Sequence, residues 1–379
     1  MPLSSTTMKV EEMIAALEKI APTRYAESWD QPGLHIGSRN ARVRRAMLCI
    51  DLTLPVVNEA IEHHADFIIA YHPPIFKPLP RLTDDHHKAE VALLAARHNI
   101  SVYAPHTALD ATPNGLNDFL ADLIGPGRVR PIIPAPRNGT RNVKLVTFVP
   151  EKSEDRVRNA LTSIGAGLIG DYEACSFVHA GHGTFRGLPS ANPTVGRAGQ
   201  LERVPEIRLE MILPHNLVAD AARLLRSVHP YEEPAFDIIP LEQPPDTPSI
   251  AGQGRILELK RVTTFARLIE RLKKGLNIPF LKAHRPARKG SIRTIGLCAG
   301  AGGSLIEHAG PIDVFFTGEM RHHDALDAVE QGIGLILAGH TNTERVYLPA
   351  YRERILAEFT QAPPDILIAR TDKPPVETV

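Results

Sequence analysis

Cysteine is scarce in this chain of 379 residues, which holds only Cys49, Cys175 and Cys298. Odd in number, far apart and never spaced as CxxC, they argue against disulfides and a thiolate metal site, and they suit a reducing cytoplasm. An excess of one charge is also missing, since 43 Lys+Arg balance 43 Asp+Glu. No bulk field therefore favours nucleic acid, an acidic membrane or an acidic substrate, and basic clusters are confined to 128–141 and 282–293. Nowhere do ~18 apolar residues run together as a membrane span requires, and the opening MPLSSTTMKVEEM has no charged-then-apolar leader pattern. The expectation is a soluble, cytoplasmic protein. Aromatic residues make up 5% of the chain with one tryptophan, Trp29, a composition that suits base stacking less well than metal or acid/base chemistry.

What is abundant is histidine, with 17 residues. Where they fall depends on the elements. Val10, Met13, Ile14, Leu17 and Ile20 recur at helical spacing, predicting an amphipathic helix over 8–20. The next segment, SWDQPGLHIGS, sets Trp29 beside Asp30 and a Pro-Gly turn and reads as a buried loop plug ahead of the alternative, a role at a site. Strands over 46–50, 67–71 and 101–104 then alternate with helices over 54–64, 86–96 and 116–124. Such alternation predicts parallel pairing through crossover helices, with ligands gathered beyond the carboxyl ends of the strands.

Residues 126–142, rich in Pro, Arg and Gly, read as a linker. Strand 143–149, helix 153–164, a two-strand region over 173–186, strand 206–213, helix 215–227 and strand 235–240 then read, with one strand to spare, as β-α-β-β-α-β, the ferredoxin-like order. The alternation resumes with strands over 255–259, 294–298, 314–317 and 334–337 and helices over 265–272, 304–309, 323–330 and 343–359. The expected fold is an α/β domain in two sheet-containing halves, 1–141 and 249–379, with a ferredoxin-like α+β domain, 142–248, inserted between them.

Three strand ends carry metal-ligand chemistry. His340 and Glu344 stand four apart where a helix begins, so both side chains lie on one face. His72 ends the 67–71 strand, and Pro73-Pro74 fix the exit path. His106 and Asp110 repeat the spacing of four after the 101–104 strand. A polar turn explains any one of these segments, but their concurrence points to a metal. Three imidazoles and two carboxylates without a thiolate suit Zn, Mn, Fe(II), Co or Ni rather than Ca or a copper thiolate site. A bridging carboxylate could hold two ions ~3.5–4 Å apart, which makes hydrolysis the natural reaction class.

Glu319, after the 314–317 strand, suits orienting a ligating imidazole or acting as a base, and His323 is expected to face the same edge. The pairs His63-His64 and His86-His87, with His179 and His182, read as surface residues. The turn AGAGGS (299–304) either cradles a phosphate at a helix N-terminus or packs closely as bare backbone, and HPYEEP (229–234) reads as a rigid turn or a binding lip.

WDQPGL (29–34), YHPPIFKPL (71–79), PHTALDATPNGLND (105–118), TGEMRHHDALDA (317–328) and GHTNTER (339–345) resemble, in this order and across nearly the whole chain, the NIF-like dinuclear metal-binding family, often labelled GTP cyclohydrolase I type 2-like. The insert with HPYEEP resembles the PII/CutA-like insert of longer bacterial members. The resemblance implies a two-metal site, to which His72, Asp110, His340 and Glu344 correspond, and a homohexameric ring with its sites facing an interior cavity. One position departs from the pattern. Many members have two consecutive histidines where this chain has Tyr71-His72, a form shared with the eukaryote-like branch, and a phenol titrating near ~10 is a poor substitute for a neutral imidazole.

The functional expectation is a metal-dependent hydrolase of a small phosphorylated or nucleotide-like substrate. His72, Asp110, His340 and Glu344 would hold divalent ions, two per chain and drawn from Zn, Mn, Fe or Co, while His106, Glu319 and His323 shape the catalytic surroundings. The alternative is a non-enzymatic metal-binding or regulatory ring protein. Neither a membrane nor a nucleic acid is expected as a partner.

Overall fold

In the computed structural model, residues 7–135, 142–170, 172–241, 249–288, 290–360 and 363–376 are described. The chain divides into two compact units, one of Met1–Arg137 with Ser249–Val379 and the other of Asn138–Pro248. Among the described residues no helix is long and apolar enough to cross a membrane.

The larger unit is mixed α/β, built on two main sheets. The first runs Asp365–Ile368, Arg45–Cys49, Phe67–Ala70, Ser101–Ala104, Gly33–Ile36, with the first four parallel and the last antiparallel. Every residue of Phe67–Ala70 and Ser101–Ala104 is buried, as expected of strands covered on both faces. The second sheet runs Lys282–His284, Gly334–Leu337, Val314–Thr317, Ile292–Cys298, Arg255–Thr263, Gly127–Arg130. Only its middle three strands are parallel, and the outer ones pair antiparallel. Wholly parallel pairing is therefore corrected to mixed sheets, because Gly33–Ile36, Arg255–Thr263, Gly127–Arg130 and Lys282–His284 run against their neighbours.

A second correction falls on the predicted linker. Gly127–Arg130 pairs with Arg255–Thr263, and Ile133–Pro134 pairs with Gly252–Gln253. The strand GRVR is almost entirely exposed, so no apolar alternation announces it; its partner's hydrogen bonds define it. The part of the linker at 136–141 lies outside the described residues. Through this pairing the first half of the unit completes the second half's sheet. Leu116, Leu120 and Ile124 also share one core with Leu268, Leu272 and Leu276.

Arg255 closes that seam. It is 1% exposed. Its Nε donates to Asp118 Oδ1 at 2.6 Å, its Nη1 to the carbonyls of Gly252 and Gly254, and its Nη2 to those of Ala111 and Thr112 and to Asp118 Oδ2. A buried guanidinium so fully satisfied is tolerated because no donor is left unpaired.

The second unit follows the order Asn142–Val149, helix Glu154–Ser163, Ser176–Arg186, Leu201–Pro214, helix Val218–Val228, Phe236–Pro240. Its antiparallel sheet runs Ser176–Arg186, Leu201–Pro214, Asn142–Val149, Phe236–Pro240. Val157, Leu161, Ala221 and Leu225 of the helices pack on Leu145, Leu209 and Met211 of the sheet. The two strands expected over 173–186 are one, because Gly181 and Gly183 stay extended and pair within the long ladder to Leu201–Pro214. In the HPYEEP turn the Tyr231 N–H donates to His229 Nδ1, and His229 Nε2 bonds the Phe148 carbonyl, which makes the turn rigid. The turn also borders a cleft of about 600 Å³.

Candidate metal centre

The first sheet's ladder continues one step past its strands. Tyr71 N donates to Cys49 O at 2.9 Å and His72 N to Ile50 O at 3.0 Å, which fixes both side chains at the carboxyl edge. Extended backbone alternates faces, so Tyr71 enters the core while His72 stays half-buried. At the next strand end His106 adopts φ +38°, a conformation costly for a side chain with a Cβ. Asp30 holds it there, accepting from His106 Nδ1 at 2.6 Å, Thr107 N at 3.1 Å and Thr107 Oγ1 at 2.5 Å. His340 and Glu344 follow Gly334–Leu337 in the second sheet, with Glu344 on the short helix Asn342–Arg345.

These ends converge. Glu344 Oε1 lies 3.2 Å from His340 Nε2 and 3.5 Å from His72 Nε2. One ligand atom from each of the three residues falls within 4.8 Å of the others. Glu344 is 3% exposed, and its second oxygen, Oε2, is buried with no hydrogen-bond partner. The far nitrogen of each ring meets a carboxylate, His72 Nδ1 at 2.9 Å from Asp51 Oδ1 and His340 Nδ1 at 2.7 Å from Glu319 Oε1. A ring whose Nδ1–H is donated to a carboxylate presents its Nε2 lone pair to a metal. The His106–Asp30 contact repeats this arrangement, and the His106 ring centroid is 5.4 Å from that of His72.

The Gly-rich turn takes the close-packing role. Gly300 has φ +60°, and a Cβ there would sit 2.7 Å from Glu344 Oε1 and 3.2 Å from His340 Nε2. Only glycine keeps that space open. The expected helix after it is a 3₁₀ segment, Gly303–His308, too short for the phosphate cradle that a longer helix N-terminus provides.

Charge is tightly coupled here. Burial works to raise the Glu344 carboxyl pKa, but hydrogen bonds from the two imidazoles outweigh it and hold the group below its ordinary value. For His72, burial alone would favour the neutral ring, yet the Asp51 and Glu344 carboxylates push it up to about 10. His340 is pushed up to about 9, chiefly by its bond to Glu344. Imidazoles raised on folding stabilise the metal-free protein fully below their ordinary pKa of ~6.5 and cease to do so as pH passes the folded values. Chelator-treated protein should therefore lose thermal stability between about pH 7 and 10. A metal must displace those protons, so loading strengthens with pH over the same range. Melting curves of chelated and metal-supplemented protein across the window check this, and parallel curves would contradict it.

Asp110 stands apart from the converging trio. The buried Tyr71 hydroxyl donates to its Oδ1 at 2.6 Å, and burial pushes its carboxyl up to about 7. Its carbonyl accepts from Asn117 Nδ2, whose Oδ1 accepts from Ala299 N, so this loop is tied to the Gly-rich turn. Glu319 has the orienting position expected of it. His323 is exposed at the start of helix His322–Glu330, with its ring 5.6 Å from that of His322.

Two partners escape the local patterns, Asp30 and Asp51. Asp51 was findable, since it follows the 46–50 strand just as His72 and His106 follow theirs. Trp29 corrects the buried-plug expectation. It is 55% exposed and lines a cleft of about 380 Å³ together with Glu27, His106, Asp110, Gly300, His340 and Glu344.

Residues 8–375 match the family model Duf34/NIF3 (NGG1p interacting factor 3). A Bacillus subtilis (strain 168) protein named GTP cyclohydrolase 1 type 2 homolog is 34% identical over 350 residues, 92% of this chain and 90% of the relative. A Halalkalibacterium halodurans protein of the same name is 33% identical over 347 residues, covering 91% of each. The structure of a Bacillus cereus protein related to NIF3 superposes with a TM-score of 0.72 at 31% identity, covering 99% of this chain and 100% of that one. Staphylococcus aureus protein SA1388 does so with 0.73 at 28%, covering 98% and 99%. The likeness spans both halves of the larger unit and the insert alike, and the chain belongs to the Duf34/NIF3 family.

Proposed function

We propose that this chain binds divalent metal ions and hydrolyses a small nucleotide-like or phosphorylated substrate. One observation carries the reading: two imidazole Nε2 atoms and a buried carboxylate converge while Glu344 Oε2 has no partner. Leaving a buried acceptor unpaired costs ~1–3 kcal/mol, more for a charged group, and a cation supplies what is missing. Nitrogen and oxygen donors without sulfur fit Zn, Mn, Fe or Co. When bound, such an ion polarises a substrate oxygen and lowers the pKa of water.

The chain's own residues do the rest. His72, His340 and Glu344 hold the charge, and Asp51 and Glu319 fix the ring orientations. His106, oriented by Asp30, is placed to pass a proton at Nε2. The substrate class rests on the relatives' name, GTP cyclohydrolase 1 type 2 homolog. In the same reading the insert is ferredoxin-like, supported by its strand order, and the chain works as a cytoplasmic homohexamer.

A second ion per chain would draw on Asp110 and the unpartnered Glu344 Oε2, and there Tyr71 competes by holding Asp110 Oδ1. Elemental analysis of the purified protein, alongside its oligomeric mass, should find one firmly held ion per chain, with a second retained more firmly in Tyr71→His. Equal retention in both proteins would show that Tyr71 does not limit the site. If no nucleotide or phosphoester is turned over with Zn, Mn, Fe or Co loaded, the hydrolase reading fails while metal binding stands.

A further inference from the structure

The chain's single tryptophan sits where the metal centre meets solvent. An indole 55% exposed is costly to hydrate and is not accounted for by packing. Nor is it loosely held. The neighbouring Asp30 is buried, donates its N–H to Glu27 O at 3.0 Å and is locked by His106 and Thr107. The indole meets the His106 ring edge-on, at 5.9 Å between centroids and 76°, and lies 6.0 Å from the ring of Phe76, itself exposed. Trp29 therefore bounds the same 380 Å³ cleft that His340 and Glu344 line. Glu27 lines it too, and no hydrogen bond engages its carboxylate among the described residues. A rigid aromatic face, a free acceptor and a metal centre in a space of this size suit one small molecule. They offer little to a macromolecular surface.

We infer that Trp29, flanked by Phe76, stacks on a flat nitrogen heterocycle, with Glu27 accepting an N–H from the ring's edge and the rest of the ligand reaching toward His340 and Glu344. This rests on the proposed metal centre only for the ligand's far end. The stacking half stands on Trp29 and Glu27 alone. Low aromatic content pointed away from stacking, but one indole at the right place is enough for a single ring.

Because Trp29 is the only tryptophan, its fluorescence reports directly on the event. Titrating full-length, zinc-loaded protein with guanosine, which carries adjacent N–H donors on a flat ring, should quench the emission saturably, whereas ribose 5-phosphate should not. By calorimetry, Trp29→Ala should weaken guanosine binding roughly 5–150-fold, and Trp29→Phe should keep most of it. 1-Methylguanosine, with one edge donor removed, should bind ~2–12-fold more weakly to the unaltered protein. Absence of saturable quenching by guanosine, or unchanged guanosine affinity in Trp29→Ala, overturns the inference. Metal content of the same samples separates the two readings. Loaded protein that does not bind guanosine sinks stacking alone, and protein that binds guanosine but takes up no metal sinks the metal centre alone.

Discussion

Glu344→Gln will cost the protein its firmly held metal, with affinity falling by roughly 10²–10⁴-fold, the equivalent of ~3–5 kcal/mol for leaving a buried charge without its counter-charge. Its Oε1 lies within 3.5 Å of both His72 Nε2 and His340 Nε2, and the neutral amide keeps its shape while removing the charge. The fold should survive, because among the described residues the side chain's polar partners are those two rings. Asp51→Asn makes the contrast. It leaves every ligand atom in place and disturbs only the orientation and basicity of His72, for which about 10–100-fold is expected. Both are measured by competition for zinc against a chelator, beside a melting curve. Equal losses for the two variants would show that the centre depends on general polarity rather than on Glu344 as a ligand.

Arg255→Met should destabilise the larger unit by about 3–5 kcal/mol, because it strands the Asp118 carboxylate and four carbonyls that the guanidinium satisfies. For a unit this large that corresponds to a melting temperature lowered by roughly 6–20 °C. Lysine should rescue little, since a point charge cannot fill a fork of donors aimed at separate acceptors. Arg255 joins a strand of the second half to the loop after Asp110 in the first, so metal affinity should fall as well, but less than in Glu344→Gln. A melting temperature within 2 °C of the unaltered protein would show that the seam is held by the shared apolar core instead.

Much of this centre is written locally. A spacing of four on a helical turn brought His340 and Glu344 together, and an apolar run ending in His72 placed a ring at a sheet's carboxyl edge. The helices and outer strands of the insert follow equally from periodicity. Partnerships between distant segments were not legible. Asp30 meets His106 across 76 positions and Asp51 meets His72 across 21, so no window of sequence contains either bond. The strand Gly127–Arg130 exists because Arg255–Thr263 pairs with it, not because of its own residues.

The sequence by itself determined which side chains stand at the strand ends, because alternation and helical pitch are properties of neighbouring residues. Tertiary structure alone decided which of them meet. It drew His72, His340 and Glu344 together across two sheets, left His323 exposed, committed Asp110 to Tyr71, and left Trp29 facing solvent. The reason is that convergence and exposure depend on how sheets pack and where the backbone closes, which a local pattern does not encode.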